Sequence, residues 1–124
     1  MSQQKGQSIV EFALLLPVLL FIIFGLLDMG RAVYTYTVLA SAAHEGARQA
    51  VIVDNTDQVV VNAALQRAVA VNLLASEVQI VGTRQPGTQV TVIVSHPFAP
   101  VTPLISNVVG HSLALSAAAT MIVD

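Results

Sequence analysis

The sequence contains no cysteine, so neither a disulfide framework nor a thiolate metal site is available to it. That absence does not assign a compartment; it means only that oxidation adds nothing to stability. Charge is almost as scarce: 10% of the 124 residues are charged, against roughly 25% in ordinary soluble domains. The basic residues Lys5, Arg31, Arg48, Arg67 and Arg84 are scattered, and the formal net charge is -2. No basic stripe exists to hold a phosphate backbone, which excludes nucleic acid as an expected partner. Aromatic residues make up only 5%, so the 55% hydrophobic content is largely aliphatic and alanine. The length suits one domain plus an appended segment rather than two domains.

Groups that carry catalysis are also missing in any useful arrangement. His44-Glu45-Gly46-Ala47-Arg48 opens like a zinc-protease helix but has Arg48 where the second histidine is required. His44, His96 and His111 lack ligand spacing. Ser95, Ser106, Ser112 and Ser116 sit outside any nucleophile-elbow pattern. Asp54, Asp57, Glu77 and Asp124 are too dispersed to form a carboxylate pair. No glycine-rich phosphate loop is present. The expectation is a protein that is not an enzyme, with no catalytic residue, metal, cofactor or small-molecule substrate.

What the sequence does have is one long apolar stretch. From Ile9 to Leu27 the only interruptions are Glu11, Pro17 and Gly25. As a helix it would extend about 28 Å at ~1.5 Å per residue, close to the ~30 Å hydrocarbon core of a bilayer. A secretory signal core is shorter and ends at a small-x-small site. Here Asp28-Met29-Gly30-Arg31 follows instead, so the segment is expected to be retained. Lys5 on the N-terminal side favours a cytoplasmic N-terminus. Glu11 is anomalous, because a carboxylate in a span costs roughly 2.5–3.5 kcal/mol at the centre and less near the interface. Two readings stand: Glu11 reaches the headgroups or the positive helix end, or it awaits a cationic partner. Pro17 removes one helix hydrogen bond and is expected to kink or loosen the helix.

The residues Gly6, Gln7-Ser8-Ile9-Val10, then Glu11-Phe12 resemble the prepilin peptidase site of type IV pilin-like proteins. That resemblance implies cleavage between Gly6 and Gln7, with Glu11 fifth in the mature chain. It further implies that the new ammonium at Gln7 pairs with a carboxylate, between neighbouring subunits in related filaments. Shedding the leader would also remove Lys5, whose charge hinders withdrawal from the membrane. Gly6 to Pro17, followed by Asp28-Met29-Gly30-Arg31 and Glu45-Gly46-Ala47-Arg48, resembles the TadE-like proteins of tight-adherence (Tad/Flp) pilus systems. The main pilins of such systems usually carry Glu-Tyr and are much shorter, so Phe12 and the large C-terminal region favour a minor, pseudopilin-like role.

Beyond the span, Met29, Val33, Tyr36, Ala40, Ala43, Ala47 and Ala50 recur at spacings of four and three. This predicts that the helix continues from about Ser8 to Val53 with one apolar stripe. Glu45 and Arg48 are spaced to pair. Asp54-Asn55-Thr56-Asp57 supplies N-cap candidates for a second helix over Thr56–Ala75, packed on the alanine stripe. The period then changes to two. Val78 and Ile80, a Pro86-Gly87 type II turn, and Val90, Val92 and Val94 predict a hairpin. His96 to Pro103 reads as a loop because of its three prolines. Leu113 to Val123 reads as a third strand.

The expected fold is therefore α+β: a long N-terminal transmembrane, pilin-like helix, a second helix and a small three-stranded antiparallel sheet. The expected division is a leader over 1–6, a helix over 7–53 spanning the membrane at about 9–27, and an outer domain over 54–124. The expected function is a pseudopilin or minor pilin, with the main filament subunit or a single-span membrane-anchored interaction protein as alternatives. The expected partners are the lipid bilayer, the prepilin peptidase, and other pilin-like subunits or copies of itself. The expected location is the cytoplasmic membrane with the C-terminal domain outside, or an extracellular filament after assembly.

Overall fold

A computed structural model of the protein describes residues 2–110 and 112–124; Met1 of the expected leader and His111 lie outside the described residues. The aliphatic and alanine-rich first part forms a single helix, α1 (Ser2–Ala50), of 49 residues. It starts before the expected Ser8 and stops just short of Val53. Pro17 lies inside it and has no N–H to offer the preceding turn, yet the helix runs on through it on the bonds of the turns to either side.

The rest of the chain wraps the second half of α1. Helix α2 (Asp57–Arg67) begins where Thr56, as N-cap, accepts a hydrogen bond from the Val59 N–H through its side chain. This ends earlier than the expected Ala75. A single 3₁₀ turn follows at Val69–Val71, and Asn72 takes a left-handed conformation at φ 54°. The reversal lets the buried Leu73 face the core, a tertiary gain that outweighs extending the helix.

Strands β1 (Val78–Val81), β2 (Gln89–Phe98) and β3 (Leu113–Ile122) form one antiparallel sheet in the order β1-β2-β3. Val92 lies opposite Ile80 on one side and Ala119 on the other, and Val94 opposite Val78 and Ala117. Directly opposed residues share a face, so these side chains make the inner layer, and Val90, Val92 and Val94 are fully buried. The opposite face is polar, with Thr91 Oγ1 2.8 Å from Thr120 Oγ1 and Ser95 Oγ donating to Ser116 Oγ at 3.2 Å. The turn between β1 and β2 has the expected chemistry: the Thr88 N–H donates to the Gln85 carbonyl at 3.1 Å, with Gly87 at φ 83°.

Three expectations are corrected. The His96–Phe98 part of the expected loop belongs to β2, with Pro97 opposite Ala114. Strand β1 stops at Val78 opposite Val94, so β2 is an edge there, where a residue without an N–H is tolerated. The loop also contains a short helix, α3 (Pro103–Val109), with proline in its first turn. Finally, the buried side of α1 is not the whole predicted stripe. Ala43, Ala47 and Ala50 are buried, but Met29, Val33 and Tyr36 are 67%, 60% and 51% exposed. The covered face runs instead through Asp28, Thr35, Leu39, Ala42 and Gly46. In a helix this uniformly apolar, hydrophobic spacing does not single out one side.

Candidate functional site

From Ile9 to Leu27 every residue of α1 is exposed except the half-buried Gly25, and its most apolar window has none of its residues buried. An apolar helix bare all round suits a lipid environment rather than a protein core. By length and composition α1 is a candidate membrane span. Gly6, Gln7, Glu11, Phe12 and Pro17 are all exposed along it. The Gln7 side-chain amide donates to Glu11 Oε1 at 3.4 Å, so these two share a face one turn apart. Nothing lies within 4 Å of where a Cβ on Gly6 would stand. Pro17 lies across an apolar hollow from Pro103, and the other expected site residues stand away from the outer domain.

Just above the bare turns, α1 makes its most specific contact. Asp28 is buried, with only 5% of its side chain exposed. Its Oδ1 accepts the Val101 N–H at 2.9 Å and its Oδ2 the Thr102 N–H at 2.7 Å. These are backbone donors at the entry to α3, where the Thr102 side chain makes no capping bond of its own. Arg31, one turn on, donates to Asp28 Oδ1 at 3.2 Å and stands 5.3 Å above the centre of the Phe98 ring. The Thr102 hydroxyl, the Val101 and Thr102 N–H groups and the Arg31 guanidinium bring the Asp28 carboxyl from 3.8 down to about 2, against the opposing effect of burial. Thr102 Oγ1 is buried without a hydrogen bond of good geometry among the described residues, and the bonds with clear geometry at this carboxylate are those from the two backbone N–H groups and Arg31.

The upper end of α1 is held by a second set of groups. Arg84, from the β1–β2 connection, donates through Nε to the Ala50 carbonyl at 3.2 Å and through Nη2 to the Ile52 carbonyl at 2.9 Å. Its Nη1 bonds Asp57 Oδ1 at 3.0 Å. Carbonyls at a helix C-terminus have no intrahelical donor, and a cation is favoured there. Between the two ends, Glu45 Oε2 lies 3.6 Å from Arg48 and 3.7 Å from Arg67 of α2. The Glu45–Arg48 pairing was legible from spacing, whereas the partners of Asp28 and Arg84 are 73 and 34 residues away. The one local clue to the Asp28 clamp was a charged pair directly after an apolar run.

The remaining polar side chains make structural contacts. His96 Nδ1 is 2.8 Å from Glu77 Oε2, and Glu77 Oε1 accepts the Leu74 N–H at 3.1 Å, which fixes the turn before β1. Among the described residues no three metal-ligating side chains converge. The hollow between α1 and α2, beside Glu45, Gln49 and Arg67, is an open groove rather than a closed cavity.

Residues 6–48 match the family described as TadE-like protein. No curated protein and no solved structure matches the chain. The matched stretch takes in Gly6, Glu11, the bare apolar turns, the Asp28–Arg31 pair and Glu45–Arg48, and it stops short of the sheet. The likeness to TadE-like proteins thus lies in the long helix and covers about a third of the chain.

Proposed function

We propose that the chain is a structural subunit, a pseudopilin or minor pilin of a Tad-type pilus, cut by the prepilin peptidase between Gly6 and Gln7 and assembled through α1. The observation that carries this reading is one unbroken helix, bare from Ile9 to Leu27 and forming the core of an outer domain over its second half. Such a helix is stable in lipid before assembly and finds equivalent apolar surroundings among other subunits' helices afterwards. Met29, Val33 and Tyr36 extend the same bare surface above the span, where only a neighbouring helix would cover them.

Hydrolysis of the Gly6–Gln7 amide leaves a carboxylate on Gly6 and an ammonium on Gln7. That ammonium begins about one turn, about 6 Å of rise at ~1.5 Å per residue, before Glu11 on the same face. In an apolar bundle each charge needs the other, since an unpaired buried charge is strongly destabilising. Residues 1–6 are then the leader, 7–53 the assembly helix and 54–124 the outer domain. The domain lies outside the cytoplasmic membrane, and later in the filament. Phe12 and the size of this domain favour a minor subunit. The chain takes no substrate and works by association with the bilayer, the peptidase and pilin-like partners.

N-terminal sequencing of the protein from cells with and without the prepilin peptidase tests this. A chain starting at Gln7 only when the peptidase is present is expected; an intact leader in both would remove the mechanism. Glu11→Ala is expected to leave membrane insertion unchanged and to abolish incorporation into filaments, read by comparing membrane and sheared-pilus fractions. Normal incorporation would favour the headgroup-reaching reading of Glu11.

A further inference from the structure

The segment clamped by Asp28 does not rest on top of the membrane-length half of α1; it descends beside it. Ile105 of α3 lies 3.9 Å from where a Cβ on Gly25 would stand. Pro103 closes a hollow whose other walls are Pro17, Leu20, Phe21 and Phe24. From Asp28 down to Phe21 is about 10 Å at ~1.5 Å per residue, so α3 sits alongside the last turns of the span. The exposed side chains of this segment are mostly apolar: Val101, just before α3, and Leu104 and Val108 on it are 64%, 62% and 79% exposed, with Asn107 the exposed polar residue among them. No charged residue occurs anywhere between Arg84 and Asp124.

We propose that Val101 to Val108 is a second membrane contact, a short apolar element that enters the outer leaflet beside the span. Lipid is the occupant these observations favour because the exposed face is continuous with the lipid-facing surface of α1 and lies at the same height. Interfacial helices bury their apolar side about 5–10 Å into the boundary between headgroups and acyl chains, which is the depth α3 reaches. Asp28 makes this possible: its carboxylate takes up the Val101 and Thr102 N–H groups, which would otherwise enter an apolar medium without a partner. The proposal rests on the span and not on filament assembly.

The chain has no tryptophan, so a single introduced indole reports its own surroundings. The full-length chain would be reconstituted into phosphatidylcholine–phosphatidylglycerol vesicles with and without bromine near the headgroup end of the acyl chains. Leu104→Trp and Val108→Trp are the test variants. Phe21→Trp is the reference within the span, and Ile122→Trp, exposed at the far end of β3, the reference outside it. Quenching of the two α3 indoles is expected to fall within about twofold of that for Phe21→Trp, with Ile122→Trp unquenched. If Leu104→Trp and Val108→Trp are no more quenched than Ile122→Trp while Phe21→Trp is quenched, the proposal is overturned. Blue-shifted but unquenched α3 indoles would overturn it too, by assigning the face to a second protein. An unquenched Phe21→Trp would remove the span and the proposal with it.

Discussion

Gly46→Ala sets two effects of opposite sign against each other inside the helix that organises this molecule. Gly46 lies within α1, where replacing glycine by alanine ordinarily gains about 0.8–1 kcal/mol. Here the added Cβ would stand 3.0 Å from Val92 Cγ1, with Ala64 Cβ at 3.6 Å and the Val60 carbonyl oxygen at 3.7 Å. Val92 is fully buried on the central strand between Ile80 and Ala119, and a β-branched side chain has few rotamers to escape into. Overpacking of this kind costs about 1–3 kcal/mol, so the substitution should destabilise by roughly 0–2 kcal/mol net. Val92→Ala alone removes two methyl groups, about 1.6 kcal/mol of transfer energy at ~0.8 each, and should cost about 2–3 kcal/mol with its cavity. In that background the new Cβ meets vacated space, the crowding disappears, and Gly46→Ala should stabilise by about 1 kcal/mol. Amide exchange of Val90–Val94 in the full chain, held in non-ionic detergent, reads the opening free energy of the outer domain. If Gly46→Ala stabilises both backgrounds equally, the tight helix–sheet approach assigned to Gly46 is refuted.

Asp28→Asn should loosen the Val101–Thr102 entry to α3 and speed exchange of those two amides, while β2 amides stay protected. Because the Asp28 carboxyl is held below its ordinary 3.8, its contribution is fully present above that value and is lost as pH falls through about 2. The wild-type protein should therefore shed α3 protection in that window, and Asp28→Asn should flatten the profile. Arg84→Met leaves the Ala50 and Ile52 carbonyls without their side-chain donor and should cost about 1–3 kcal/mol. Faster exchange confined to the end of α1 and the start of α2 would show it, and unchanged exchange there would contradict the capping role.

Elements whose pattern is local and periodic were legible in the sequence. The alternation of Val90, Val92 and Val94, the Pro86-Gly87 turn, the Thr56 cap and the alternating run from Leu113 each follow from neighbours a few residues apart. The misreadings arose where a distant neighbour decides. Pro97 joins a strand because β1 ends opposite Val94, and α2 stops at Arg67 because turning at Asn72 buries Leu73. The entry to helix α3 needs an acceptor for the Val101 and Thr102 amides, supplied by Asp28 from 73 and 74 residues upstream. The Met29–Val33–Tyr36 side of α1 is as apolar as the covered side, so spacing was silent on which one the domain takes. At the N-terminus, Gly6, Gln7 and Glu11 were noticed through motif and charge. All three are exposed along α1, and no contact with the outer domain singles them out.

The two clamps on α1 have a mechanical consequence. Asp28 and Ala50, whose neighbourhoods are bound to the domain by the Val101–Thr102 amides and by Arg84, are about 33 Å apart along the axis at ~1.5 Å per residue. A rod gripped at two such points can neither swivel nor slide relative to its load. A helix of nearly uniform apolar surface has no preferred azimuth in lipid, so the domain acts as its rudder. Whichever way the sheet faces, Gly25 turns toward α3 and the Met29, Val33 and Tyr36 side turns elsewhere. In the proposed assembly, withdrawing the helix from the bilayer would deliver its bare face at a defined heading, with torque passed straight from the domain to the bare turns.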